Sequence, residues 1–336
     1  MRNLRILILS GVLILPVIGW AQDNSNSAAT SQPPAAATSQ PAVATSAPPA
    51  PPAAPEKGWP LPLHTIEGVG GVGLTEMAYL VNPSTGKEWL GLPSLSITHV
   101  QTGHQNAEIT SISETLFKRL ELSYSNDYVG LGDFDLAVKN KLGATLSTDY
   151  VQEHNFGARL ALVNDGDYGQ KWLPAVTAGV HYKYNATINQ FDHDLGGALN
   201  KVVGVKDYQG VDYTLTATKL FKDVLPRPFF VSATVRNTDA ADIGWLGFTN
   251  ERRTVLEGNA GVFVLDNLVV AAEYRQMPND LKSVPGVLLP ESDWWTLAAA
   301  YIIDHHWTVS AAYANLGNML NHNEPASLWL QVKYEF

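Results

Sequence analysis

Residues 326–336 read Ala326-Ser327-Leu328-Trp329-Leu330-Gln331-Val332-Lys333-Tyr334-Glu335-Phe336. Leu328, Leu330, Val332, Tyr334 and Phe336 fall on one face of an extended chain; Trp329, Gln331, Lys333 and Glu335 fall on the other. A period of two with one apolar and one polar face is the pattern of a half-buried strand. Two architectures accommodate such a strand at their end, a soluble sandwich and a barrel whose apolar face looks out into lipid. The residues before it decide between them.

Composition narrows the choice. The chain has 336 residues, no cysteine and a net charge of −10. Without cysteine there is no disulfide framework, no thiolate metal site and no acyl anchor on a thiol. The acidic balance argues against nucleic acid as a partner. The mean hydropathy of −0.06 is low for a bundle of membrane helices, whereas a membrane barrel hides its apolar residues at every second position.

Residues 1–21 have the form of a secretory signal peptide, with Arg2 and Arg5 ahead of an apolar run and Gly19-Trp20-Ala21 at the cleavage position. The run falls short of the roughly 20 residues a membrane helix needs. Residues 22–57 are almost entirely Ala, Pro, Ser, Thr and Gln, too poor in apolar surface to offset the entropy of ordering, and are expected to be a disordered periplasmic linker.

From Leu92 to Phe336 the alternation keeps returning. Leu120, Leu122 and Tyr124 alternate with Arg119, Glu121 and Ser123; Val176 to Tyr184 alternate with Thr177 to Lys183; Tyr213, Leu215 and Ala217 alternate with Asp212, Thr214 and Thr216. Similar runs lie at 156–162, 229–236 and 268–275, and weaker, alanine-rich ones at 254–264, 292–303 and 307–315. Tyr182, Tyr184, Tyr274, Tyr301, Trp307, Tyr313 and Tyr334 sit near strand ends on the apolar faces, as the aromatic girdles of a membrane barrel do. Counted back from Phe336, tight connections (Asp304-His305, Asp266-Asn267, the neighbourhood of Lys118) alternate with long polar ones at 317–325, 278–291, 240–252, 188–209 and 128–150. The expectation is an all-β fold, a transmembrane up-and-down antiparallel barrel of about 12 strands over residues 92–336, even-numbered as such barrels are. The stretch 128–150 has room for a further hairpin.

Residues 58–91 stand outside this count. Glu67, Gly68, Gly70, Gly71 and Gly73 mark a segment too glycine-rich for a good strand but suited to close backbone approach. It lacks the lysine and hydroxyl of a phosphate-binding loop. Two possibilities stay open, a hatch inside the lumen and an irregular extra strand.

Several stretches taken together resemble the bacterial family catalogued as domain of unknown function 3034. They are Ile66-Glu67-Gly68 with Gly70-Gly71 and Gly73-Leu74, Arg119 to Tyr124, Trp172-Leu173-Pro174, Ala217 to Phe221, Leu246-Gly247-Phe248, Glu273-Tyr274-Arg275, Asp293-Trp294-Trp295, and Ala312-Tyr313 with Leu316-Gly317-Asn318. The resemblance implies an outer-membrane barrel and carries no substrate or catalytic residue. It also has a departure: the family tends to follow its glycine segment with Pro and Trp, where this chain has Thr75-Glu76-Met77-Ala78-Tyr79. The final strand itself resembles the C-terminal strand by which outer-membrane barrels are recognised for assembly, with Tyr334 and Phe336 as its signal, and so implies the barrel-assembly machinery and outer-membrane lipid as partners in a Gram-negative bacterium.

Chemistry, if any, lies on the inward faces. The charged candidates are Arg119, Glu121, Arg159, Lys183, Arg236, Glu257, Glu273, Arg275, Lys333 and Glu335. Arg119 with Glu121, and Glu273 with Arg275, place opposite charges two residues apart on one face. They could ring a wet lumen and select solutes, or form salt bridges that brace the wall and the hatch. The histidines are scattered without a serine beside them, Asp192-His193-Asp194 has too few ligands for a metal site, and no catalytic residue or cofactor is expected. The function expected is a channel or small-solute transporter of unknown specificity; a closed envelope-interaction barrel and an accessory to polysaccharide export are the alternatives.

Overall fold

The computed structural model describes residues 61–336; the expected signal peptide and linker, and the first residues of the glycine-rich segment, lie outside them. Strands form where alternation is sustained. They are β1 Ser94–Gln101, β2 Asn106–Leu116, β3 Leu120–Gly130, β4 Tyr150–Val163, β5 Ala175–Asn185 and β6 Gln209–Phe221. The second half holds β7 Phe229–Ala240, β8 Phe248–Leu265, β9 Leu268–Arg275, β10 Trp294–Ile302, β11 Trp307–Asn315 and β12 Ser327–Glu335. Each pairs antiparallel with its sequence neighbour, and β12 pairs with β1, so the 12 strands close a barrel. Tyr334 lies opposite Leu95, Val332 opposite Ile97 and Leu330 opposite His99 across this seam. Closure leaves no strand edge, the condition for placing a sheet in hydrocarbon, where no water satisfies a free N–H or C=O.

The pleat sorts the side chains. Leu122, Phe156, Val180, Leu215, Val235, Leu256, Leu297 and Val332 are exposed on the outside, whereas the residues between them are buried. An apolar band of this extent around a closed barrel is stable only against lipid. Tyr182, Tyr274, Tyr301, Trp307 and Tyr313 also point outward, and Tyr334 packs between Trp307 (ring centroids 4.6 Å apart) and Phe336 (4.9 Å).

The two ends of the barrel differ. One carries the turns 117–119, 164–174, 222–228, 266–267 and 303–306 together with Phe336; the other carries 131–149, 186–208, 241–247, 276–293 and 316–326. The connection 102–105 is the one short link at the long-loop end. The stretch 128–150 holds helix α1 (Phe134–Leu142) rather than a hairpin, and 186–208 holds α2 (Ile188–Asp194). Phe134 and Val138 are buried one helical turn apart, so α1 forms to bury an apolar face over the barrel mouth.

Replacing Leu215, mid-strand on the outer face of β6, with Arg should destabilise the barrel in lipid by about 2–4 kcal/mol. Urea unfolding in lipid vesicles, read by heat-modifiable gel mobility, measures this; a change within about 0.5 kcal/mol, usual for a water-facing site, would contradict the lipid-facing assignment.

Candidate functional site

Residues 61–81 lie within the barrel, against the inward faces of its strands. Nearly all of them are buried. Their own ladder is minimal, Leu63–His64 against Gly70–Gly71, so the segment adds no strand to the wall. Its polar backbone groups are satisfied by the wall instead, as burial demands. Glu121 accepts hydrogen bonds from the Gly70 N–H (3.1 Å) and the Val81 N–H (2.7 Å). Arg159 donates to the carbonyls of Gly70 (3.0 Å), Met77 (2.7 Å) and Tyr79 (3.2 Å) and is itself paired with Glu121 (2.8 Å). Across the lumen, Glu273 accepts from the Leu74 N–H (3.0 Å) and from the N–H (2.7 Å) and hydroxyl (2.9 Å) of Thr75.

The centre of the arrangement is Glu67. Its carboxylate meets Lys183 of β5 (2.5 Å), Arg236 of β7 (3.0 Å) and Arg275 of β9 (2.7 Å), all fully or almost fully buried. Glu76 is the second such group, against Arg236 (3.0 Å), His181 (3.1 Å) and Arg159 (3.7 Å). Arg236 also pairs with Asp212 (3.0 Å) and Glu257 (2.5 Å). Glycine is required where the segment folds on itself, since a Cβ at Gly71 would lie 2.2 Å from the Thr75 carbonyl oxygen. Two more glycines are required against the wall. Gly68 has φ +81°, and a Cβ there would lie 3.0 Å from the Ser125 side chain; a Cβ at Gly70 would lie 2.7 Å from the Arg159 guanidinium and 2.8 Å from Pro62. Both let the chain run flush against the wall. Gly73, by contrast, leaves ordinary room for a Cβ.

Of the charged residues expected to face the lumen, Glu121, Arg159, Lys183, Arg236, Glu257, Glu273, Arg275, Lys333 and Glu335 are buried inside. Arg119 is not: it is exposed, in the tight turn between β2 and β3. Three residues, 117–119, separate the paired Leu116 and Leu120; Phe117 and Lys118 both have positive φ, and the Arg119 N–H closes the turn on the Leu116 carbonyl at 2.9 Å. The alternation therefore starts one residue later, and Arg119 and Glu121 form no lumen pair. Glu273 and Arg275 do share the inner face, but Glu273 binds the backbone of Leu74 and Thr75 while Arg275 binds Glu67. Lys333 reaches the Pro62 carbonyl and Glu335 (2.6 Å) at the turn end, where residues 61–63 lie.

Sequence reasoning passed over Glu76, His64, His181 and Asp212. Asp212 and His181 lie on the inward faces that the alternation of β6 and β5 already defines. His64 is buried between the hydroxyls of Ser96 (2.8 Å) and Ser113 (2.7 Å), a tie from the inner segment to β1 and β2. In the loop cluster, Asp192 accepts from the Asn200 N–H (3.0 Å) and Asp194 from the Ser147 N–H (2.7 Å), so both hold loop backbone.

A second set of inward contacts enters from the loop end. In loop 241–247, Ile243 and Gly244 give their carbonyls to Lys183 (2.6 Å) and Asn185 (2.9 Å), and the Trp245 indole donates to Asp127 (3.1 Å). The Asp242 N–H donates to Glu291 of loop 276–293 (3.1 Å), and each of these two carboxyls keeps one oxygen without a partner. Burial pushes Asp242 up to about 7. Burial, and then the charge of Asp242, push Glu291 well above the usual carboxylate range.

None of the curated proteins compared matches the chain in sequence. Among solved structures it is similar to the KdgM porin, with 10% identity and a TM-score of 0.43 over 72% of this chain and 99% of that one. It is similar to the Acinetobacter baumannii outer membrane protein Omp33, with 10% identity and a TM-score of 0.41 over 74% and 99%. The Salmonella typhi outer membrane phospholipase gives 10% identity and a TM-score of 0.38 over 75% and 94%. A family model matches residues 62–333, and the chain belongs to that family, described as Protein of unknown function (DUF3034).

Proposed function

We propose that the protein is an outer-membrane transporter for small solutes that is closed at rest, with residues 61–81 as a plug and loop 241–247 as a lid. The observation that carries it is the single Glu67 carboxylate, which ties the inner segment to cations on β5, β7 and β9. Short turns at one end and long loops at the other support placing Phe336 on the periplasmic side. Tyr334 and Phe336, at the end of the strand that closes the seam, are the proposed contact for the assembly machinery. No catalytic role is proposed.

A purely structural, permanently shut barrel is the second reading, favoured by the number of hydrogen bonds that dock the inner segment. Planar-bilayer conductance separates the two. The intact protein should conduct rarely, and a variant lacking residues 62–81 should conduct steadily while keeping its heat-modifiable mobility. A large steady conductance from the intact protein would contradict the plug, and a folded but silent deletion variant would favour the structural barrel.

Glu67→Gln should loosen the plug, because removing one partner from a buried ion cluster leaves unpaired charge and costs about 3–5 kcal/mol. That corresponds to a shift of about a hundredfold or more between docked and undocked plug, read as a higher frequency of channel opening. A Glu67→Gln protein as quiet as wild type would mean that Glu67 does not hold the closed state.

The lid should respond to pH. When docked, burial raises Asp242 to about 7 and Glu291 well above the usual carboxylate range; once solvated, both ionise near the ordinary carboxylate value of about 4. The docked state therefore binds more protons. Its stabilisation is complete below that value and is lost as pH rises through about 7 for Asp242. Amide exchange of residues 241–247 should quicken across this interval, and Glu291→Gln should flatten the dependence; exchange that slows as pH rises, once the intrinsic rate is corrected for, would reverse the sign.

A further inference from the structure

The loop end holds a cavity that none of the ion pairs and hydrogen bonds described above uses. Helices α1 and α2 and loops 186–208, 276–293 and 316–326 enclose about 160 Å³ whose lining residues are all Leu, Val, Ile, Phe or Ala. Phe134, Ile188, Phe191, Val203 and Leu288 form its walls, and Leu246 of the lid loop contributes to the same lining. Two lining residues, Leu142 and Val202, are 47% and 55% exposed and so mark a way in from outside.

Water is a poor occupant, because it needs two to four polar partners and the lining supplies none. An empty apolar cavity lowers stability in proportion to its volume, and the loops of a membrane barrel have no need of one. An engineered aliphatic and aromatic cavity of about 150 Å³ in another protein stays dry and takes up benzene or xenon. We propose that this cavity is a binding site for a small, uncharged, apolar molecule about the size of a single six-membered hydrocarbon ring. A charged group is excluded, since no side chain of opposite charge lines the space. Because Leu246 belongs to both the cavity and the lid, the occupant would rest directly on the lid. The proposal rests on the cavity alone and stands whether or not the barrel conducts.

Fluorobenzene added to the full-length protein in nanodiscs, followed by fluorine NMR, tests this. A saturable shifted resonance, separate from probe dissolved in lipid, is expected. Fluorobenzoate should give none, and a phospholipid tagged with fluorine on its acyl chain should give none either, which distinguishes a free solute from a lipid tail. Ala198→Phe and Val287→Phe, which fill the cavity from two sides, should each weaken binding at least tenfold while heat-modifiable mobility is retained. Leu297→Phe on the outer wall should leave it unchanged. Absence of a saturable resonance in the wild type, equal binding of fluorobenzoate, a shifted signal from the lipid alone, or unaltered affinity in both filled variants would each overturn the proposal.

Discussion

Five cations, Arg159, Lys183, Arg236, Arg275 and Lys333, are buried inside the barrel with at most 3% exposure, and the structure depends on neutralising them. A charge taken out of water must be paired and hydrogen-bonded or it is expelled. The wall supplies part of the answer in Glu121, Asp212 and Glu257. The rest comes from the chain that precedes the barrel, through Glu67 and Glu76. The inner segment is thus held because the wall is electrostatically incomplete without it. Its apolar packing is secondary, since it leaves a cavity of about 210 Å³ against the wall near Phe230, Phe263 and Ala298.

Strand order and facing were legible because a period of two is local: Glu121, Lys183 and Lys333 can be placed inside from their immediate neighbours alone. The strand count followed from the turns for the same reason. Arg119 shows where local alternation stops being informative. The three-residue turn 117–119 interrupts the pleat without interrupting the hydrophobic rhythm of its flanks, and the positive φ values of Phe117 and Lys118 reveal it. The helices over the mouth were illegible because α1 and α2 are short and draw their stability from each other's loops rather than from a long periodic pattern.

The site was less legible than the wall. Glu67 could be marked by its glycines, but its partners Arg236 and Arg275 are 169 and 208 residues away, a distance no periodicity spans. Glu76, in the stretch Thr75–Tyr79, is the second carboxylate of the inner segment, with Thr75 on Glu273 beside it and the Tyr79 hydroxyl on Asp165 (2.8 Å) of a turn. No glycine marks this stretch, so nothing local singled Glu76 out.

The same geometry constrains how anything could pass. An apolar space lies under the loops and another between the inner segment and the wall. Between them lies the layer of Glu67, Glu76, Lys183, Arg236 and Arg275, whose side chains are buried and bonded to one another. No side chain in that layer can swing aside alone, because each would abandon a buried charge. Any opening must therefore move the carboxylates together, which means moving the segment that carries them both. Lys183 couples this layer to loop 241–247, since it binds Glu67 and the Ile243 carbonyl at once. Were residues 61–81 withdrawn, Lys183 would keep Asp212 as its wall partner (3.0 Å) and loop 241–247 would have an altered anchor, so the two segments are linked through one side chain.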